Sequence, residues 1–148
     1  ELNRQLGNDG EAQPFFQRAV LVAQEIGDRS GEADGYYGLG QIAVRLGERD
    51  KAMCHLRLAL EQANEIHETL LVLDILLEIA CLLTDTDAAR AGCILAFLLA
   101  DPQLPDQRRT RAAAALSHLP GAGLVATAAT LSLSEVVALA AGTVPSRR

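Results

Sequence analysis

Residues forty positions apart repeat one another through the first half of this chain, and that period constrains the fold more than any other feature. Gly7 recurs as Gly47, Ala12 as Ala52, Ala19 as Ala59, Ala23 as Ala63 and Ile26 as Ile66, with Phe16 standing for Leu56. Six matches at one spacing of this size mark a stack of paired helices, because one pair cannot bury its apolar face alone. The clearest pair covers residues 30–66. Tyr36, Leu39, Gly40, Ala43 and Leu46 recur at three- and four-residue steps, which places them on one face of a helix. Gly47 ends that helix. Ala52, Leu56, Ala59, Ala63 and Ile66 then step by four, three, four and three along a second helix that packs back on the first. Gly40 and Ala52 are small where the two backbones would approach.

Further along, Leu76, Ile79, Ala80 and Leu83 take the first-helix positions, and Ala91, Leu95 and Leu98 the second-helix positions, now at a spacing of thirty-nine. The turn at residues 84–87 is one residue shorter and has no glycine. The series Tyr36, Leu39-Gly40, Gly47, Ala52, Leu56, Ala59 resembles the tetratricopeptide repeat, whose pattern runs bulky, Leu-Gly, turn Gly, Ala, bulky, Ala. The fold class this implies is all-α: antiparallel helical hairpins in a solenoid, closed by a C-terminal group of short helices.

Taken in order, residues 1–6 read as the last turns of a truncated helix and Gly7-Asn8-Asp9-Gly10 as a turn. A second helix follows over about 11–26, with Pro14 tolerable in its first turn. After the hairpin come helices over about 68–83 and 88–100, the latter stopped by Asp101-Pro102. Pro105-Asp106 opens another helix, which runs through Arg108, Arg109 and Arg111 to about Leu119-Pro120-Gly121. A short helix is expected at 124–130, and Ser132 with Glu135 forms a capping box for a last one over about 133–141. The organisation expected is repeats over 1–102 (1–29 partial, 30–67 complete, 68–102 divergent), a helical cap over 103–141 and a frayed tail over 142–148.

This terminal part carries a second resemblance. The run Leu95-Ala96-Phe97-Leu98-Leu99-Ala100-Asp101-Pro102, the Arg- and Ala-rich helix after Leu104-Pro105, and Leu131-Ser132-Leu133-Ser134-Glu135-Val136-Val137 look like the C-terminal end of large bacterial regulators. Those are signalling ATPases of the STAND class, of the maltotriose-responsive activator type, in which repeats sense a ligand or partner downstream of a nucleotide switch. The resemblance implies a bacterial, cytoplasmic protein in signal transduction and transcription regulation. No phosphate-binding loop lies in these residues, so an ATPase would stand before Glu1.

Composition narrows the chemistry. With 49% hydrophobic but only 3% aromatic residues, the helices pack through Leu, Ala and Ile. A net charge of −6 argues against a nucleic-acid surface, which needs clustered positive charge. No apolar window approaches the roughly 18 residues of a membrane span. Cys54, Cys81 and Cys93 read as small buried hydrophobes in a reducing compartment, with a disulfide between Cys81 and Cys93 left open by their places on one hairpin. His55 and His67 stand twelve residues apart on one expected helix, a rise of about 18 Å, too far to share a metal. No serine sits in a Gly-x-Ser-x-Gly elbow. Neither a catalytic site, a metal nor a cofactor is expected. Arg108, Arg109 and Arg111 fit either a basic patch or a solvated helix face.

Binding is left. In tetratricopeptide arrays the first helices of successive pairs line a concave groove, and the resemblance carries that role to Asp34, Tyr37, Gln41, Val44 and Arg45, then to Asp74, Leu77 and Cys81, with Arg4 and Gln5 from the truncated helix. The groove lacks the Lys and Asn combination that clamps a peptide carboxylate. An aromatic among acids and arginines suits a mixed polar and apolar ligand. Two classes of function follow: a module that binds a protein, peptide or small-molecule inducer on this face, or a structural spacer or oligomerisation scaffold without its own ligand. Loss of cover over residues 11–26 would leave Phe15, Phe16, Val20 and Leu21 partly exposed and favour self-association.

Overall fold

The computed structural model describes residues 2–119 and 131–142, without the side chains of residues 2–7. The helix expected at 124–130, the stop at 120–121, the tail beyond Gly142 and the side chains of Arg4 and Gln5 lie outside these residues. The described residues hold seven helices and no strand: α1 (Leu2–Ile26), α2 (Arg29–Arg45), α3 (Arg49–Glu65), α4 (Thr69–Leu83), α5 (Ala88–Ala100), α6 (Asp106–Ser117) and α7 (Leu133–Ala141). This is the all-α, helical-hairpin fold that the period predicts. The chain divides into two compact units, residues 1–75 and 76–148.

In the first unit α2 packs against both α1 and α3. Ala52, Leu56, Ala59 and Ala63 of α3 are fully buried, as their stripe requires. A Cβ on Gly40 would lie 2.7 Å from Leu56 Cδ2, and one on Gly38 would lie 2.6 Å from the Phe16 ring, so α2 is thin on both sides. Arg29 at the start of α2 donates to Gln62 (2.7 Å) and Glu65 (3.0 Å) at the end of α3, and Ser30 donates to Glu68 at 2.6 Å. These bonds hold the hairpin antiparallel.

The helix ends expose a shorter period that comparison at forty residues conceals. The amides of Asp28, Glu48 and Glu68 bond the carbonyls of Ala23, Ala43 and Ala63 at 2.8, 2.9 and 3.0 Å. Gly27, Gly47 and His67, each just before, take φ of 73°, 74° and 59°. The same left-handed closing turn therefore recurs every twenty residues, at the ends of α1, α2 and α3.

Two expectations fail here. First, α1 runs unbroken through Gly7–Gly10, and Pro14 sits in its interior, not in a first turn. Continuing the helix bonds backbone groups that a turn there would free. Asp9, expected in that turn, is buried and holds Arg45 with both oxygens, at 2.8 and 2.9 Å. Second, α3 ends at Glu65, so His67 is a turn residue and not a helix-face one.

In the second unit α6 and α7 both pack on α5, burying Ala112, Val136 and Ala140 against a helix whose own Ala91, Ile94, Leu95 and Leu98 are buried. The expected capping box closes the start of α7: the Glu135 amide donates to the Ser132 hydroxyl and the Ser132 amide to the Glu135 carboxylate. Asp87 caps α5 by accepting from the Arg90 amide. The Arg90 guanidinium in turn donates to the Leu139 carbonyl, tying the end of α7 to the start of α5.

Candidate functional site

On α2, Asp34, Tyr37, Gln41 and Val44 fall at steps of three, four and three, on the side of the helix away from buried Leu39 and Ile42. Asp34 is exposed, and the other three are half-buried. Arg45 continues the stripe, but its guanidinium is held by Asp9. The Asp34 carboxyl is pushed above its ordinary value by partial burial, then by the nearby charges of Glu68 and Asp28. The stripe thus offers an aromatic ring and an amide beside a cluster of acids that repel one another.

The positions carried onto α4 divide differently. Asp74 is half-buried in the first unit. Leu77, in the second, is only 3% exposed and offers a ligand no side-chain surface. The reason is composition: α4 is apolar on nearly every side, so Val72, Leu73, Ile75 and Leu77 are buried along with the expected Leu76, Ile79, Ala80 and Leu83. Cys81 is half-buried. Burial pushes its thiol up, Arg111 opposes this and Glu78 adds to it, so the sulfur stays protonated at neutral pH and is a poor nucleophile.

Two of the three arginines of α6 are engaged within the unit. Arg111 pairs with buried Glu78 at 2.7 Å, and Arg109 donates to the carbonyls of Leu99 (3.0 Å) and Asp101 (2.7 Å) at the end of α5. A charge buried like Glu78 needs such a partner, which explains why a basic side chain lies there. All three cysteines are free thiols, and Cys54 is exposed where a buried one was expected. Its neighbour His55 is the half-buried one, stacked on Tyr36 with ring centroids 6.3 Å apart. Burial, with a smaller contribution from Lys51, holds the His55 imidazole below its ordinary value, and its Nδ1 has no hydrogen-bond partner. Among the described residues no group of three or more His, Cys, Asp or Glu side chains could hold a metal ion, and no helix is long and apolar enough to cross a membrane.

Among the described residues, most of the exposed large apolar side chains lie on α1. Of the four side chains expected there, Phe15 and Leu21 are exposed, whereas Val20 is buried and Phe16 is half-buried under Gly38, because the glycines of α2 let it settle onto them. Val22 and Ile26, which sequence reading passed over, complete the exposed set. With Phe15 they line a groove of about 370 Å³ that reaches Asp28 and Gly31 at the start of α2. The signal was present as a spacing of seven and four between Phe15, Val22 and Ile26.

Comparison with known proteins bears on the first unit. No curated protein and no solved structure matches the chain. Residues 1–65, which carry α1, α2 and α3, match the family model of the tetratricopeptide repeat, a repeat that generally mediates protein–protein interaction.

Proposed function

We propose that this chain is a protein-interaction module whose first unit binds a basic protein or peptide segment along the open face of α2. The observation that carries this reading is the Asp34, Tyr37, Gln41 stripe next to Asp28 and Glu68. A Lys or Arg side chain from a partner would relieve the repulsion that raises the Asp34 carboxyl, while Tyr37 supplies contact area at low entropic cost. A small cationic inducer would meet the same chemistry. The module acts by binding and not by catalysis, and it works inside a larger cytoplasmic signalling or regulatory protein of the STAND class in bacteria, where occupancy of this face would be read by neighbouring domains of the same chain. The terminal resemblance described above supports that placement.

Displayed random peptides selected on the chain and re-measured on Asp34→Lys and Tyr37→Ala test the face. Binders should lose at least about tenfold in affinity on each variant. Retained affinity on both would remove α2 as the binding face. The second reading, an oligomerisation scaffold that associates with itself through its N-terminal end, is favoured by one specific observation: the exposed apolar side chains of α1.

A further inference from the structure

The exposed stripe of α1 has the pattern of a helix that pairs with another. Phe15, Ala19, Val22 and Ile26 are spaced four, three and four, the a and d positions of two heptads. Phe15 and Ile26 are each 71% exposed and Val22 is 46% exposed. The opposite flank of the helix is occupied by Phe16 and Ala23 against α2, so only one edge of the stripe is free to carry charges. That edge reads Glu11, Arg18, Glu25 at steps of seven, all exposed.

From this geometry we infer that α1 is a homodimer interface, pairing antiparallel with α1 of a second copy. The inference deepens the self-association reading above by naming the element, the partner and the direction. Three features select this occupant. The spacing four, three, four is the same read in either direction, so in an antiparallel pair Phe15 meets Ile26 of the second copy and Ala19 meets Val22. Small Ala19 at the centre lets the two helices approach closely, and the groove of about 370 Å³ beside it receives the large side chains from the other copy. Charge then fixes the direction. Antiparallel helices bring like edge positions together, which sets Arg18 against Glu25 of the other copy twice over, by symmetry. A parallel pair would set Arg18 against Ala23 and leave no ion pair. Four layers make a small interface, so the dimer forms at high micromolar concentration and not at nanomolar.

Sedimentation velocity on the full chain, from about 10 μM to 1 mM, tests this together with edge-charge variants. Ile26→Glu, at an exposed position, should abolish dimerisation while leaving helix content unchanged. Arg18→Glu alone and Glu25→Arg alone each place like charges across the interface and should weaken dimerisation about tenfold. Mixing these two variants restores both ion pairs, so the mixture should dimerise where neither does alone. A chain that stays monomeric to 1 mM overturns both this proposal and self-association. Dimerisation that ignores the charge swaps and Ile26→Glu leaves self-association standing and overturns the α1 pair. Neither result touches the α2 binding face, which the peptide experiment reads separately.

Discussion

His67 closes α3 at φ 59°, in the turn position that Gly27 and Gly47 fill at 73° and 74°. A side chain with a Cβ is strained there by about 1 kcal/mol, and glycine is not. His67→Gly should therefore stabilise the chain by up to about 0.5 kcal/mol after the greater freedom of glycine in the unfolded chain is subtracted. The urea midpoint reads this directly, and a fall would mean that the imidazole makes a compensating contact. A forty-residue comparison sets His67 only against Gly27, and one Gly-to-His difference looks like ordinary drift. The twenty-residue step, visible in the backbone bonds, is what identifies it as a glycine position. His55 gives a second prediction at this scale. The folded imidazole, buried first and then repelled by Lys51, resists a proton that the unfolded one accepts near 6.5. The unfolded chain thus binds more protons as pH falls through that value, and stability drops with it. Its orphaned Nδ1 adds to the cost, since protonation makes that atom a donor with nothing to receive it. Urea midpoints should fall between pH 7.5 and 5.5, and His55→Gln should flatten the slope; an unchanged slope would assign the dependence to other groups.

Among the elements, those whose ends are written in local chemistry were legible and the one that depends on a partner was not. Asp101-Pro102 stops α5 at Ala100, and the Ser132–Glu135 capping box opens α7 at Leu133, as read from the residues alone. Each is settled within four residues of backbone. The break expected at Gly7–Gly10 has no such local stop: Asp9 is held by Arg45 of α2, and α1 continues through two glycines and Pro14. The candidate groove shows the same split. The resemblance carried both sets of positions over: those of α2 keep side-chain surface, whereas Leu77 falls where the apolar surroundings of α4 bury it. Close packing of α2 on α3 is the element-level property most open to test. Ala52 is fully buried, and Gly40 lies within contact distance of Leu56. Ala52→Leu adds three carbons to a site with no room, and should cost about 1–3 kcal/mol through displaced helices. Thermal unfolding that does not change would mean the crossing is looser than the glycine contacts indicate.

At the scale of the whole molecule the charge is unevenly divided. Residues 1–75 carry thirteen acidic and seven basic side chains, while residues 76–148 carry six of each, so the entire net charge of −6 belongs to the first unit. The basic side chains there are also partly engaged: Arg45 is held by Asp9, Arg29 by Glu65 and Lys51 by Glu48. In the second unit Arg90, Arg109 and Arg111 bind carbonyls and carboxylates within the unit, which makes its balance a matter of internal structure. The negative field around α2 therefore has no counterpart in its own unit, and it acts over about a Debye length, roughly 8 Å at physiological salt. A partner recognised through that field should bind through Lys or Arg side chains. Its association rate should fall several-fold as salt rises from 50 to 500 mM, with a smaller change in dissociation. Peptides selected on the chain provide the measurement, by surface plasmon resonance across that salt range. Selected binders poor in basic residues, with rates indifferent to salt, would show that the field plays no part in recognition and that Tyr37 and its apolar neighbours alone select the partner.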